Sequence, residues 1–176
     1  VINVCLASEP DTIDPALNSA VDGATLTAHL FSGLAKWAQD KDGKLQIVPD
    51  AATELPEGVK NADGTVTYTF RLRGGKWSDG VEVKASDFVY AWQRLADPAT
   101  GSVYAPLLSI VSGYAEAQAS GDMSLLAVSA KSSTTLVVTL TGHYDWFLRE
   151  VCTSIATLPL RQDVVPVSYT HLTLPT

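Results

Sequence analysis

Residues with metal-binding or nucleophilic side chains are few in this sequence and lie far apart. Its 176 residues include three histidines, His29, His143 and His171, and two cysteines, Cys5 and Cys152. Zinc and other transition metals need several such ligands at short, characteristic spacings. Neither His29 nor His143 has a second histidine or a cysteine at such a spacing, so the sequence predicts no metal site.

The two cysteines leave two interpretations open. Cys5 and Cys152 are too far apart in sequence to form a Cys-x-x-Cys redox motif. A long-range disulfide could form in an oxidising compartment. Two buried thiols are the simpler interpretation, and we favour it.

Catalytic motifs are absent from the sequence as well. No Gly-x-Ser-x-Gly elbow presents a nucleophilic serine, although a triad assembled in space from distant residues stays open. No glycine-rich motif of the kind that cradles a phosphate occurs. Glu9, Asp11 and Asp14 could in principle transfer protons, but we interpret them as solvated loop carboxylates. We therefore predict a protein that is not an enzyme, with no catalytic residues and no cofactor.

Charge and hydropathy restrict the partners further. The chain has 12 Lys and Arg residues against 19 Asp and Glu residues, a formal charge of −7, and 46% of its residues are apolar. An acidic chain without clustered basic residues binds a phosphate backbone weakly, so we predict no nucleic-acid partner. No apolar run reaches the roughly 18 residues that cross a bilayer. Because the sequence begins with Val1, we expect any signal peptide or lipid-anchor segment to precede it.

Two amphipathic helices are predicted. The first begins at Asp22 as its N-cap and ends near residues 33–36, with Leu26, Leu30 and Leu34 recurring every four residues. The second covers residues 85–96. Its apolar stripe consists of Phe88, Val89, Trp92 and Leu95. Trp92 is therefore expected in the core rather than against a ligand.

Three hairpins accompany these helices, with turns at residues 40–43, 61–64 and 131–133. The strands are predicted at residues 2–7, 34–38, 45–48, 53–55, 65–73, 125–130, 134–141 and 154–158. In the strand over 65–73, apolar and polar residues alternate, which predicts one buried face and one wet face. Weaker patterns predict a helical stretch over 106–119 and a short amphipathic segment over 144–151. Helices and hairpins without regular alternation indicate an α+β fold.

An ordered set of motifs resembles one known family. Residues 68–73 (YTFRLR), 76–80 (KWSDG) and 85–92 (ASDFVYAW) are similar to the signature region of the extracellular solute-binding proteins of family 5. These are the oligopeptide- and dipeptide-binding receptors of bacterial ABC importers. Segments 9–16, 29–34, 97–98 and 102–105 also look like the family in the same order, so the resemblance covers nearly all of residues 3–165 and is closest to the oligopeptide binders.

The sequence departs from the family pattern before the second helix. Lys84 stands where a threonine usually caps the helix, and Glu82 stands where a proline is usual. A lysine side chain cannot accept the amide hydrogen bonds of an N-cap, which costs about 1 kcal/mol. We therefore expect this helix to fray at its start, without an effect on binding.

The resemblance implies a periplasmic-binding-protein type II-like (family 5) fold in truncated form. The expected parts are the start of domain I (1–24), an inserted mixed α/β domain II (25–148) and a return into domain I (149–166). The tail over 167–176 is similar to a translated sequencing adapter and is expected to be non-native. Because family members are much longer, we expect the lobe that closes over the ligand to lie beyond residue 166.

The resemblance also implies a peptide site between two lobes, where main-chain hydrogen bonds hold an extended peptide. Asn18, Ser19, Ala20 and Val21 would lie along the peptide, and Tyr104 would face the cleft from the second lobe. The alternative is that residues 18–21 are only a solvated connection before the helix.

The implied partners are an oligopeptide ligand and the permease subunits of an ABC importer, with membrane contact only through the permease or a lipid anchor. The implied protein is a monomer outside the cytoplasm, in the periplasm or, if lipid-anchored, at the cell surface. A family-5 binder of nickel, a sugar or a signalling peptide is an alternative, and a hydrolase is a more distant one.

Overall fold

The computed structural model describes residues 9–165 of the chain. In this part, the helices are α1 (Val21–Leu30), α2 (Ala85–Ala96) and α3 (Tyr114–Ser120). The strands are β1 (Ala35–Gln39), β2 (Leu45–Pro49), β3 (Val59–Lys60), β4 (Val66–Arg71), β5 (Val128–Ser132) and β6 (Thr135–Leu140). The predicted α+β organisation is confirmed. The expected strand over 2–7 and the expected tail over 167–176 lie outside the described residues.

The core is built on a four-stranded antiparallel sheet with the strand order β3-β4-β6-β5. The predicted alternation along β4 is confirmed, since Val66, Tyr68 and Phe70 are buried and Arg71 is exposed. In the register with β6, these three residues pair with apolar residues, namely Leu140, Val138 and Leu136. Cross-strand apolar pairs on one face give the sheet a buried side.

Helix α2 packs on this sheet over the predicted range, and Phe88, Trp92 and Leu95 are fully buried. The ring of Phe147, from a π-helical turn (Phe147–Val151), lies 4.8 Å from Tyr68 and 6.4 Å from Trp92 between ring centroids. The Trp92 indole donates a hydrogen bond to the Thr157 carbonyl at 3.0 Å. Trp92 is thus a core residue, as predicted.

The start of α2 is stabilised by the Asp87 side chain and the Ser133 carbonyl, not by the side chain of the N-cap residue Lys84. The Asp87 carboxylate accepts hydrogen bonds from the Lys84 amide at 2.9 Å and from the Trp77 indole at 3.1 Å. The Ser133 carbonyl accepts from the Ala85 amide at 2.8 Å. These bonds satisfy donors that a helix terminus otherwise leaves free, so they compensate for the lysine that we expected to fray the helix.

The prediction for the first helix is wrong in its bounds and in its buried face. Ala20 occupies the N-cap position, Asp22 lies in the first turn, and α1 ends at Leu30, which is 63% exposed. The buried helix residues are Gly23 and Thr27. A Cβ at position 23 would lie 2.4 Å from Asn18 Oδ1 and 2.6 Å from the Thr12 carbonyl oxygen. A small residue is needed there because the preceding loop packs against the helix.

Two other predicted elements also differ. The helical stretch over 106–119 is divided into a 3₁₀ turn (Ala105–Leu108) and α3. The break lies at Gly113, which has a φ of +79° and a backbone so close to Leu125 that a Cβ would lie 1.9 Å from its carbonyl oxygen. The strand predicted over 154–158 is a 3₁₀ turn (Ile155–Thr157), capped by the Ser154 hydroxyl.

All three predicted hairpins form, but the third turn lies at Ser133 and Thr134 rather than at 131–133, because β5 continues to Ser132. β1 and β2 pair around residues 40–43 as a separate two-stranded sheet, and β5 and β6 pair around Ser133 and Thr134. The partner of β4 in the second hairpin is β3, not residues 53–55. Among residues 9–165, no helix combines the length and apolar character needed to cross a lipid bilayer.

Candidate functional site

The structure brings the five predicted peptide-binding residues to one place. Asn18, Ser19, Ala20, Val21 and Tyr104 line a concavity of about 260 Å³. Ser154, Ile155 and Ala156 also line it, together with Ala24 from α1. The nine lining residues in the described part of the chain are all uncharged. This described lining therefore offers hydrogen-bonding and apolar groups but no ionic anchor.

The main chain of residues 18–21 is only partly used within the protein. Buried Asn18 accepts a hydrogen bond from the Ala20 amide through Oδ1 at 3.2 Å, and the Ala20 carbonyl accepts from the Ala24 amide at 3.0 Å. Within the described ranges, no hydrogen bond engages the amide of Ser19 or of Val21. Val21 is 81% exposed. Residues 18–21, which we call the edge, can therefore donate main-chain hydrogen bonds to an extended ligand and accept them from it.

A buried ion pair lies directly behind this edge. Asp14, which is fully buried, accepts two hydrogen bonds from the Arg94 guanidinium, at 2.8 Å to Oδ1 and 2.6 Å to Oδ2. Our interpretation of Asp14 as a solvated loop carboxylate is therefore wrong, while Glu9 and Asp11 are exposed as expected. The sequence pattern gave no signal for this pairing, because Asp14 and Arg94 lie 80 positions apart.

The loop that carries Tyr104 is fastened to the same segment. The Ser102 hydroxyl donates to the Ala16 carbonyl at 2.5 Å and accepts from the Tyr104 amide at 3.2 Å. The Tyr104 side chain stays 37% exposed beside the concavity. Ser102 was not predicted as a functional residue, and only its place in a family-like segment marked it.

The described histidines, His29 and His143, and Cys152 do not line this concavity. His29 bonds to the Thr25 carbonyl oxygen on its own helix, and His143 pairs with Asp145 at the surface. In the part of the chain that the structure covers, no group of three or more His, Cys, Asp or Glu residues could hold a metal ion. Cys152 is a buried free thiol, and burial raises its pKa well above the usual value. Cys5 lies outside the described residues, so the favoured interpretation of two buried thiols stays a prediction for it.

The mixed α/β fold and the open concavity beside residues 18–21 have the form of a ligand-binding module. The chain belongs to the bacterial extracellular solute-binding proteins, family 5, whose middle region matches residues 46–166. The family recognised from the sequence motifs is therefore confirmed, and so is the type II-like binding-protein fold.

Individual relatives agree with this assignment. The chain is 38% identical over 144 residues to the probable deoxycholate-binding periplasmic protein YgiS of Escherichia coli K12, covering 80% of this chain and 25% of that protein. It is 36% identical to Haemophilus influenzae OppA, crystallised in complex with RPPGFSPFR, with a TM-score of 0.74 over 89% of this chain and 30% of that one. It is 33% identical to the Escherichia coli murein tripeptide binding protein MppA, with a TM-score of 0.78 over 96% of this chain and 32% of that one.

The chain spans about a quarter to a third of the length of these relatives. The relatives are named for the ligands they bind rather than for a reaction. The concavity described above therefore belongs to one part of a longer family architecture.

Proposed function

We propose that this chain is part of the substrate-binding receptor of an ABC importer, which captures oligopeptides in a cleft between lobes and delivers them to a membrane permease. The observation that carries the proposal is the edge formed by residues 18–21, where the amides of Ser19 and Val21 make no hydrogen bond to another described residue, beside exposed Tyr104. An extended peptide can add to such an edge in the manner of a β-strand.

The uncharged lining favours a ligand that is recognised through its main chain. Among residues 9–165, no charged residue lines the concavity beside residues 18–21 and Tyr104, so this lining does not select a charged ligand side chain. Affinity from main-chain hydrogen bonds is independent of the ligand's sequence, so one receptor can accept many peptides. Tyr104 adds an amphipathic ring, whose hydroxyl can bond a ligand while the ring covers it.

The same proposal includes the domain division at 1–24, 25–148 and 149–166. Its support is the position of residues 18–24 beside residues 154–156, since both segments line the one concavity. The Ala35 amide also donates to the Cys152 carbonyl at 3.2 Å, where the middle segment meets the returning one. In this proposal the protein is a monomer outside the cytoplasm, and its partners are a peptide and the permease subunits.

Isothermal titration of the full gene product tests the proposal. Pools of peptides of two to ten residues form the first arm, and deoxycholate, nickel and a panel of sugars form the others. We expect heat of binding with the peptide pools, because the main chain of residues 18–21 and the Tyr104 ring line the concavity. Saturable binding of deoxycholate without any binding of peptides would overturn the peptide proposal. Turnover of a bound peptide, absent from a mock purification, would support a hydrolase instead.

A further inference from the structure

We infer that Asp14 and Arg94 form a positioning pair that fixes the main-chain edge of residues 18–21 in its ligand-binding geometry. The inference rests on the proposed function of that edge. Neither residue lines the concavity, so both would act through the segment that they hold. The pair joins residues that are 80 positions apart in the sequence.

Asp14 links the guanidinium to the turn that leads into the edge. Its Oδ1 accepts from the Ala16 amide at 3.0 Å as well as from Arg94. Its main-chain carbonyl accepts from the amides of Leu17 and Asn18, at 3.1 and 2.8 Å. A shift of the Asp14 side chain would therefore be transmitted through one tight turn to Asn18, the first residue of the edge.

Arg94 provides a rigid support for this turn. It lies in the last turn of α2, next to fully buried Leu95, and its side chain is only 10% exposed. A basic residue is favoured at that end of a helix by the helix dipole. A guanidinium that binds both carboxylate oxygens fixes direction as well as distance, which a lysine ammonium does not do.

A second pair of hydrogen bonds, made by Ser102, also fixes the segment between Asp14 and the edge. Eight residues after Arg94, the Ser102 hydroxyl bonds to the Ala16 carbonyl and to the Tyr104 amide. The segment is thus held to the residue 94–104 region at Asp14 and again at Ala16. This double attachment fixes the edge relative to Tyr104, which lines the same concavity, so both would meet a ligand in a set geometry.

The experiment compares Arg94→Lys with Arg73→Lys in the full gene product. Both substitutions retain the positive charge and remove a guanidinium. Arg73 is the control because it is exposed and its guanidinium donates to the carbonyls of Pro49 and Ala52, away from the edge. Affinity for a peptide found by titration, thermal unfolding, and hydrogen exchange at the amides of residues 16–21 are measured for each variant.

We expect Arg94→Lys to weaken peptide binding about tenfold or more and to speed exchange at the amides of Ala16, Leu17 and Asn18, while Arg73→Lys stays within about twofold of the parent affinity. If Arg94→Lys lowers only the unfolding temperature and leaves affinity and exchange of the folded protein unchanged, the pair is structural and the inference is overturned.

The exchange measurement separates this inference from the proposed function. If the parent protein binds no peptide, the proposed function fails, but the exchange of residues 16–18 still reports whether Arg94 holds the segment. Unchanged exchange in Arg94→Lys would then refute the positioning role, and faster exchange would support it for whatever ligand the edge takes.

Discussion

Replacing Val21 by proline tests directly whether the main chain of residues 18–21 binds the ligand. Proline has no amide hydrogen, so the substitution removes a single donor from the edge. Val21 is the first residue of α1, the helix position that proline tolerates best. Ala20, at φ −105° and ψ 150°, already has the extended conformation that a following proline requires. The fold should therefore accept the change.

The size of the effect follows from what the ligand loses. A peptide carbonyl that accepts from the Val21 amide would stay buried without a donor, which costs about 1–3 kcal/mol. Peptide affinity should fall by a factor of about 5 to about 150. The Val21 side chain is 81% exposed, so its loss removes little packing.

Val21→Ala is the matched control because it shortens the same side chain and keeps the amide. Titration of the full gene product with one peptide should show near-parent affinity for Val21→Ala and the predicted loss for Val21→Pro. Thermal unfolding should place both variants close to the parent. Equal affinities of the two variants, with both folded, would refute the use of this main-chain donor.

Two further results are expected. Gly23→Ala should destabilise the protein by about 1–3 kcal/mol, measured by urea unfolding, because its Cβ would overlap Asn18 Oδ1 and the Thr12 carbonyl. Gly142→Ala is the control, since its φ is not positive and the nearest atom to its Cβ would be Tyr144 Cε2 at 3.9 Å. A Gly23→Ala protein as stable as the parent would contradict the packing described. Cys152 should react with iodoacetamide at pH 8 far more slowly in the folded protein than in urea, as followed by peptide mapping, because burial raises its pKa. The burial of this thiol contributes stability at neutral pH that is lost as the pH rises above the pKa of the unfolded thiol. Equal labelling rates in the folded and the urea-unfolded protein would contradict this prediction.

The parts of the fold that were predicted correctly are those whose pattern is local. The alternation of Val66, Tyr68 and Phe70 and the helical spacing of Phe88, Trp92 and Leu95 both arise from one sheet face meeting one helix face. Such a pattern can be recognised without knowing the partner element. The turns at residues 40–43 and 61–64 were equally accessible, because Gly43 and Gly64 take the positive φ that those turns require.

The parts that were missed depend on contacts between distant residues. The leucine spacing in α1 predicts the wrong buried face because loop residues Thr12 and Asn18 pack against Gly23 and select a small side chain there. From the sequence alone, Asp14 has the character of a solvated loop carboxylate. Its partner Arg94 lies 80 positions later and is brought into contact only by the fold. Periodicity contains no information about such partners, so the groups that support the edge could not be found from sequence pattern alone.

The edge of residues 18–21 has a buried side that is hydrogen-bonded within the protein and an open side that faces the concavity. This difference explains how a fixed main-chain geometry can be combined with low selectivity for the ligand's side chains. On the buried side, Asp14, Asn18 and Ser102 form hydrogen bonds within the protein, so the chain path is set before any ligand arrives. On the open side, the amides of Ser19 and Val21 make no hydrogen bond to another described residue, so in our proposal they bind the ligand. A preorganised edge loses little conformational entropy on binding, so a few main-chain bonds can give useful affinity. Changes behind the edge should therefore weaken all peptides by a similar factor, whereas changes to the exposed side chain of Val21 should matter little for any of them.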